Sequence, residues 1–154
     1  MRFFKWLLAL VISLFYILIV LFLSSAVNHM DYGWYHTLNR PAFFLSSKVI
    51  EIAVLCANIL ISVVMARFIT KRRFTPEMPL IFSTGVCDVL FILFFTSLKL
   101  IPVAAVILGI EFALTIAILV RLLLHDMPFA FVYLPVVALQ SYLFISFICL
   151  ALLN

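Results

Sequence analysis

The sequence predicts an all-α integral membrane protein, a single bundle of five transmembrane helices. Three observations predict it. Of 154 residues, 68% are hydrophobic and 10% charged, against roughly 45–50% and about 25% in soluble domains. The apolar residues form five runs, each near the length of about 20 residues that a helix needs to cross hydrocarbon. The basic residues lie mainly in the short segments between those runs. Too few polar residues remain to cover such a core in water. A soluble globular domain, a disordered chain and a basic nucleic-acid binder are therefore excluded.

The predicted spans cover residues 6–27, 49–69, 79–98, 101–124 and 128–153. Strands of an outer-membrane barrel are half this length and alternate in polarity, so helices are the reading. Lipid offers no partner for backbone groups, which a helix satisfies internally. Arg2 and Lys5 give the first run a basic start, but its apolar stretch exceeds the 7–15 residues of a signal core. It is read as an uncleaved helix. The links after the third and fourth runs are very short and force antiparallel neighbours. Residues 28–48 form a long first loop with Tyr32, Trp34, Tyr35 and His36, read as an interfacial belt or as a lid over a cavity. No internal repeat or linker divides the chain.

Orientation follows from the basic residues. Arg2, Lys5, Arg67, Lys71, Arg72, Arg73 and Arg121 fall on one side; Arg40, Lys48 and Lys99 fall on the other. The positive-inside rule then places the N-terminus in the cytoplasm. The net charge of +4 reads as topology and contact with lipid headgroups, since no basic stripe interleaved with stacking aromatics occurs.

Three acids fall within the spans: Asp88 and Glu111 near mid-depth and Glu51 at the start of the second. A charge at mid-bilayer costs at least about 2.5–3.5 kcal/mol, so such groups face the bundle interior or a wet cavity. They serve a ligand or a proton, or they fix packing through interhelical hydrogen bonds. Glu51, Asn58 and Ser62 share one face of the second span by their spacing of seven and four. Ser83, Thr84, Gly85 and Cys87 beside Asp88 permit close helix approach, within the bundle or between two copies. Gln140, Ser141 and Tyr142 stand at mid-depth in the fifth span. Polar groups of spans two, three and five are thus expected to meet inside.

Cys56, Cys87 and Cys149 lack metal or disulfide spacing and read as small buried hydrophobes. His29, His36 and His125 are spread over two loops, and no nucleophile elbow, metalloprotease motif or phosphate loop occurs. The reading is a binder rather than an enzyme, with no cofactor required.

The stretch Gly33-Trp34-Tyr35-His36-Thr37-Leu38-Asn39-Arg40-Pro41-Ala42-Phe43 resembles the first-loop signature of the TspO/MBR family, W-Y-x-x-L-x-K-P-x-W-x-P-P. Phe94 to Lys99 resembles its link between helices three and four, Tyr133-Leu134-Pro135 its start of helix five, and Leu153-Asn154 its ending. Leu45-Ser46 replaces the Pro-Pro pair. Counting in register, the two cavity tryptophans of the family fall on Val54 and Leu139. The asparagine of helix three falls near Asp88, and a polar position of helix five near Phe147.

The resemblance implies five helices around a pocket capped by the first loop, a tetrapyrrole ligand such as porphyrin or haem, and frequent homodimers, here through the third helix. It implies a multi-pass protein of a bacterial cell membrane, acting in sensing or transport. The porphyrin breakdown linked to the cavity tryptophans is not expected of Val54 and Leu139. The ligand-binding residues so implied are Trp34, Tyr35, Arg40, Pro41, Phe43, Glu51, Val54, Asn58, Asp88, Phe91, Leu139, Tyr142 and Phe147. Phe94 and Phe144 are further wall candidates. Arg40 either meets a ligand carboxylate or braces Asp31. The alternatives are a proton- or cation-coupled carrier using the intramembrane acids, and a structural or regulatory membrane partner with a vestigial pocket.

Overall fold

The computed structural model describes residues 2–70 and 77–154. Lys71, Arg72 and Arg73, which weigh most in the charge count, lie outside the described residues. The elements are α1 (Arg2–Val27), α2 (Tyr32–Thr37), α3 (Ser47–Thr70), α4 (Glu77–Ile92, continued by a π-helical turn Leu93–Ser97), α5 (Ile101–His125) and α6 (Met127–Leu153). Among the described residues, five helices are long and apolar enough to cross a membrane. The predicted spans agree with these bounds to within a few residues. The short helix α2 inside the first loop was not predicted.

The five long helices form a closed ring. In space the order is α1, α3, α6, α5, α4 and back to α1. Between helices in lipid the hydrophobic effect contributes little, so close packing and small residues hold the ring. The inward stripe of α1 is Ala9, Ser13, Ile17, Val20 and Ser24, buried at helical spacing. Its other faces carry Phe15 and Phe22, 64% and 72% exposed, toward lipid. On α5 the buried positions Ile101, Ala104, Leu108, Glu111, Thr115, Ile118 and Leu122 recur every three or four residues. Two glycines set the closest approaches. A Cβ on Gly109 would lie 2.9 Å from the Phe144 ring, and one on Gly85 would lie 2.1 Å from the Tyr16 hydroxyl. The small-residue face at Gly85 thus packs on α1 of the same chain.

Two apolar clusters close the ring at different levels. One joins Val64, Met65, Phe68, Ile81, Ile118, Leu122 and Tyr133. The other joins Phe95, Ala104, Leu108, Leu143, Phe147 and Leu150, and the lid residues Trp34, Tyr35 and Phe44 rest on it. Arg67 pairs with Asp126 at 3.2 Å near the first cluster. Cys87 is buried as expected, but Cys56 is exposed, because it lies on the outward face of α3.

Candidate ligand-binding site

The inward stripe of α6 lapses between the buried Val136 and Leu143. At that level Leu139 and Gln140 face an internal cavity of about 530 Å³. α3 contributes Ile50, Glu51, Val54, Ala57, Asn58 and Ile61 to its wall, and α4 contributes Asp88, Phe91 and Ile92. Phe95 and Thr96 of the π turn, Leu108 of α5, and Leu143 and Phe147 of α6 complete the enclosed part. The lid adds Tyr32, Tyr35, His36, Arg40 and Phe44. The volume and the balance of apolar wall with a few polar groups suit a small-molecule site.

The π turn shapes this wall. Leu98 N–H donates to the Leu93 carbonyl at 3.1 Å, five residues back, and Leu100 N–H to that of Phe94 at 2.9 Å. One residue is thereby added to the turn, a device frequent at functional sites. Phe95 and Thr96 are buried by it. Phe95 becomes the hub of an aromatic cluster. Its ring centroid is 4.9 Å from Phe147, 5.8 Å from Phe91, 5.6 Å from Trp34 and 6.3 Å from Tyr35. The link to α5 then turns at Lys99, whose φ of 56° lies in the left-handed region. That conformation costs a non-glycine residue roughly 1–2 kcal/mol, and the side-chain contacts of Lys99 hold it there.

Lys99 donates to Asp31 Oδ2 at 2.7 Å and lies 5.6 Å from the Trp34 ring. Asp31 Oδ1 accepts from Trp34 N–H at 3.2 Å and so caps α2. The lid is tied at two more places, and the π turn is tied to the end of α1. Asn39 N–H donates to Asn154 Oδ1 at 2.9 Å, and Asn154 Nδ2 returns a bond to the Asn39 carbonyl at 3.0 Å. Leu45 N–H donates to the Tyr142 hydroxyl at 2.8 Å. Ser97 donates to the Val27 carbonyl at 2.6 Å.

The Lys99 bond, joined by the backbone N–H of Trp34, holds the Asp31 carboxyl below its ordinary value near 3.8. A carboxyl lowered in this way contributes to lid closure at every pH above the ordinary value and loses that contribution as pH falls through the lowered one. Trp34 emission, read in a Trp6→Phe background, is expected to stay constant from neutral to mildly acidic pH and to change below the ordinary carboxylate range. Lys99→Met is expected to give the open-lid emission at every pH. An emission that titrates near neutrality, or is indifferent to Lys99→Met, would exclude the latch.

At mid-depth the Gln140 amide donates to Glu111 Oε1. The carboxyl of Glu111 lies close enough to that of Asp88 for the two to interact. Glu111 is 1% exposed, and Asp88 is half-buried and faces the cavity. The sequence placed both acids at mid-depth, and the structure joins them.

Of the expected binding residues, Tyr35, Arg40, Glu51, Val54, Asn58, Asp88, Phe91, Leu139 and Phe147 line the cavity. Four do not. Trp34 is turned onto Phe95 and lines a smaller outer crevice with Lys99 and Asn154. Pro41 and Phe43 lie where the lid runs along the surface, and Phe43 is 51% exposed. The Tyr142 hydroxyl is taken up in holding the lid at Leu45 and at the Phe43 carbonyl. Phe94 is absent from the wall, and Phe144 stacks on Phe112 instead. Arg40 does not brace Asp31: its guanidinium donates to the Tyr35 carbonyl at 2.9 Å and lies 3.9 Å over the Tyr35 ring. Ser62 donates to the Ile59 carbonyl, away from the cavity.

Phe44, Phe95, Leu108, Val136 and Leu143 were not singled out in the sequence. A signal existed for some of them. Asp88, Phe91 and Phe95 follow at three and four residues, as do Val136, Gln140, Leu143 and Phe147, which puts each set on one helix face.

These features meet in one protein family, whose profile matches residues 8–151, nearly the whole chain. The chain belongs to the TspO/MBR family. No curated protein matches it significantly. The TspO/MBR positions that carry tryptophan by the resemblance, Val54 and Leu139, both face the cavity here. Small aliphatic side chains in their place leave open space between α3 and α6.

Proposed function

We propose that this TspO-like membrane protein binds a small hydrophobic or aromatic ligand in the cavity beneath the lid. A tetrapyrrole such as porphyrin or haem is the class proposed, for sensing or transport. The observation that supports this most is the cavity of about 530 Å³ walled by Phe91, Phe95 and Phe147. Flat apolar rings gain both burial and ring–ring contact there. We read the protein as a binder and not an enzyme, since Val54 and Leu139 leave the wall without the cavity tryptophans. Pairing of two copies through α4 would use its outward face, where Phe82 and Val86 are 44% and 59% exposed, because Tyr16 covers Gly85.

Haem and protoporphyrin titrations, followed by absorbance and Trp34 fluorescence, test the proposal. Saturable binding at micromolar ligand is expected, and its absence would overturn the reading. The Asp88–Glu111 contact favours one second reading, a proton-coupled carrier. Asp88→Asn in proteoliposomes carrying a pH dye is then expected to abolish proton flux. Unchanged flux removes that reading.

A further inference from the structure

The mid-depth part of the cavity gathers several side-chain acceptors. Asp88, Gln140 and Asn58 reach it from α4, α6 and α3, with Glu111 of α5 behind Asp88. The Gln140 amide is used by Glu111. Gln140 Oε1 and Glu111 Oε2 are both buried with no N–H or O–H donor. Of the hydroxyls on these helices, Thr84, Thr96 and Thr115 each donate to a carbonyl of their own helix, while Ser146 Oγ is buried without a partner. Asp88 and Glu111 thus bring two carboxyls together at this level, where a net negative charge needs a positive partner.

Among the described residues, no Lys or Arg lines the cavity at this level. The other charged or titratable groups on its wall are Glu51, near the start of α3, and Tyr32, Tyr35, His36 and Arg40 of the lid. Glu51 is a second acid, seven residues or roughly 10 Å along α3 from Asn58. Arg40 is held on Tyr35 at the lid. An uncompensated charge in such surroundings costs several kcal/mol. The rings of Phe91, Phe95 and Phe147 line the same cavity as Asp88, and ring faces attract cations.

We propose that the cavity takes a protonated amine on a compact apolar or aromatic body, its ammonium at Asp88 and its body against Phe91 and Phe147. This rests on the reading of the cavity as a ligand site and narrows the ligand by charge. An ammonium brings N–H donors to Asp88 and a positive charge beside the two carboxyls. A neutral ring gains the apolar contact alone. A carboxylate brought to the same place adds negative charge.

The test uses the full chain in nanodiscs of zwitterionic lipid and calorimetry against empty discs, with three matched probes. These are 1-naphthylmethylammonium, 1-naphthalenemethanol and 1-naphthoate. The ammonium is expected to bind about tenfold more tightly than the alcohol, as for a desolvated charge pair, with the carboxylate weakest. Asp88→Asn is expected to bring the ammonium down to the alcohol. Asp88→Glu and Glu51→Gln should keep the ammonium's advantage. Equal affinities, or an advantage that survives Asp88→Asn or is lost with Glu51→Gln, overturn the proposal. If the alcohol or haem binds without an ammonium advantage, the cavity remains a ligand site and only its charge preference falls. If no probe and no tetrapyrrole binds, both readings fall.

Discussion

Phe95→Ala is expected to destabilise the bundle by about 3–5 kcal/mol, the cost of emptying a well-packed aromatic site, and to free the lid. Phe95 is 5% exposed and lies within ring contact of Phe91, Phe147, Trp34 and Tyr35. The first two belong to the walls and the last two to α2. Truncation therefore removes at once the floor of the lid and the packing between the π turn and α6. The measurement is the midpoint of unfolding in a graded denaturing-detergent series, with Trp34 emission as the reporter of the lid. Phe22→Ala is the matched control, because Phe22 is 72% exposed toward lipid. It is expected to change stability by no more than about 0.5 kcal/mol. Equal midpoints for the two variants would show that the aromatic hub does not hold the fold.

The second large effect is expected at Gly85. A Cβ there would sit 2.1 Å from the Tyr16 hydroxyl and 3.0 Å from Val20 Cγ2. The hydroxyl donates to the Ile81 carbonyl at 3.2 Å, and the Tyr16 ring meets Phe82 edge-on at 4.8 Å. Gly85→Val must push α1 away from α4 or expel Tyr16, and overpacking of this kind costs about 2–3 kcal/mol. The smaller Gly85→Ala meets chiefly the hydroxyl. Tyr16→Phe is therefore expected to rescue Gly85→Ala in part, which a double-mutant cycle reads as a coupling energy. Independent, additive effects would show that the two residues do not oppose each other.

Much of the wall was legible because polar side chains are rare in this chain. Glu51 and Asn58 mark one face of α3, and Asp88 and Gln140 mark the inward faces of α4 and α6. Each reached the cavity as its spacing implied. Aromatic residues carried less information. Seventeen phenylalanines suit lipid and bundle interior equally, so Phe43, Phe94 and Phe144 could not be told from Phe95 and Phe147 by type. Trp34 and Tyr142 do not line the cavity, for a related reason. Both are near the cavity in sequence terms, but each is held by a partner distant in the chain, Phe95 and Leu45.

The sequence by itself determined five spans, their lengths and the residues between them. The physical reason is local: lipid forces each backbone segment to satisfy itself as a helix, so a run of about 20 apolar residues suffices. The tertiary structure alone decided the ring order α1, α3, α6, α5, α4, the tie of Asp31 to Lys99 rather than Arg40, and the meeting of Asp88 with Glu111. Those depend on how each helix is rotated about its axis. In a bundle surrounded by lipid, outward and inward faces are both apolar, so the rotation of a helix is set by close packing at sites such as Gly85 and Gly109 and leaves little mark on the residue pattern.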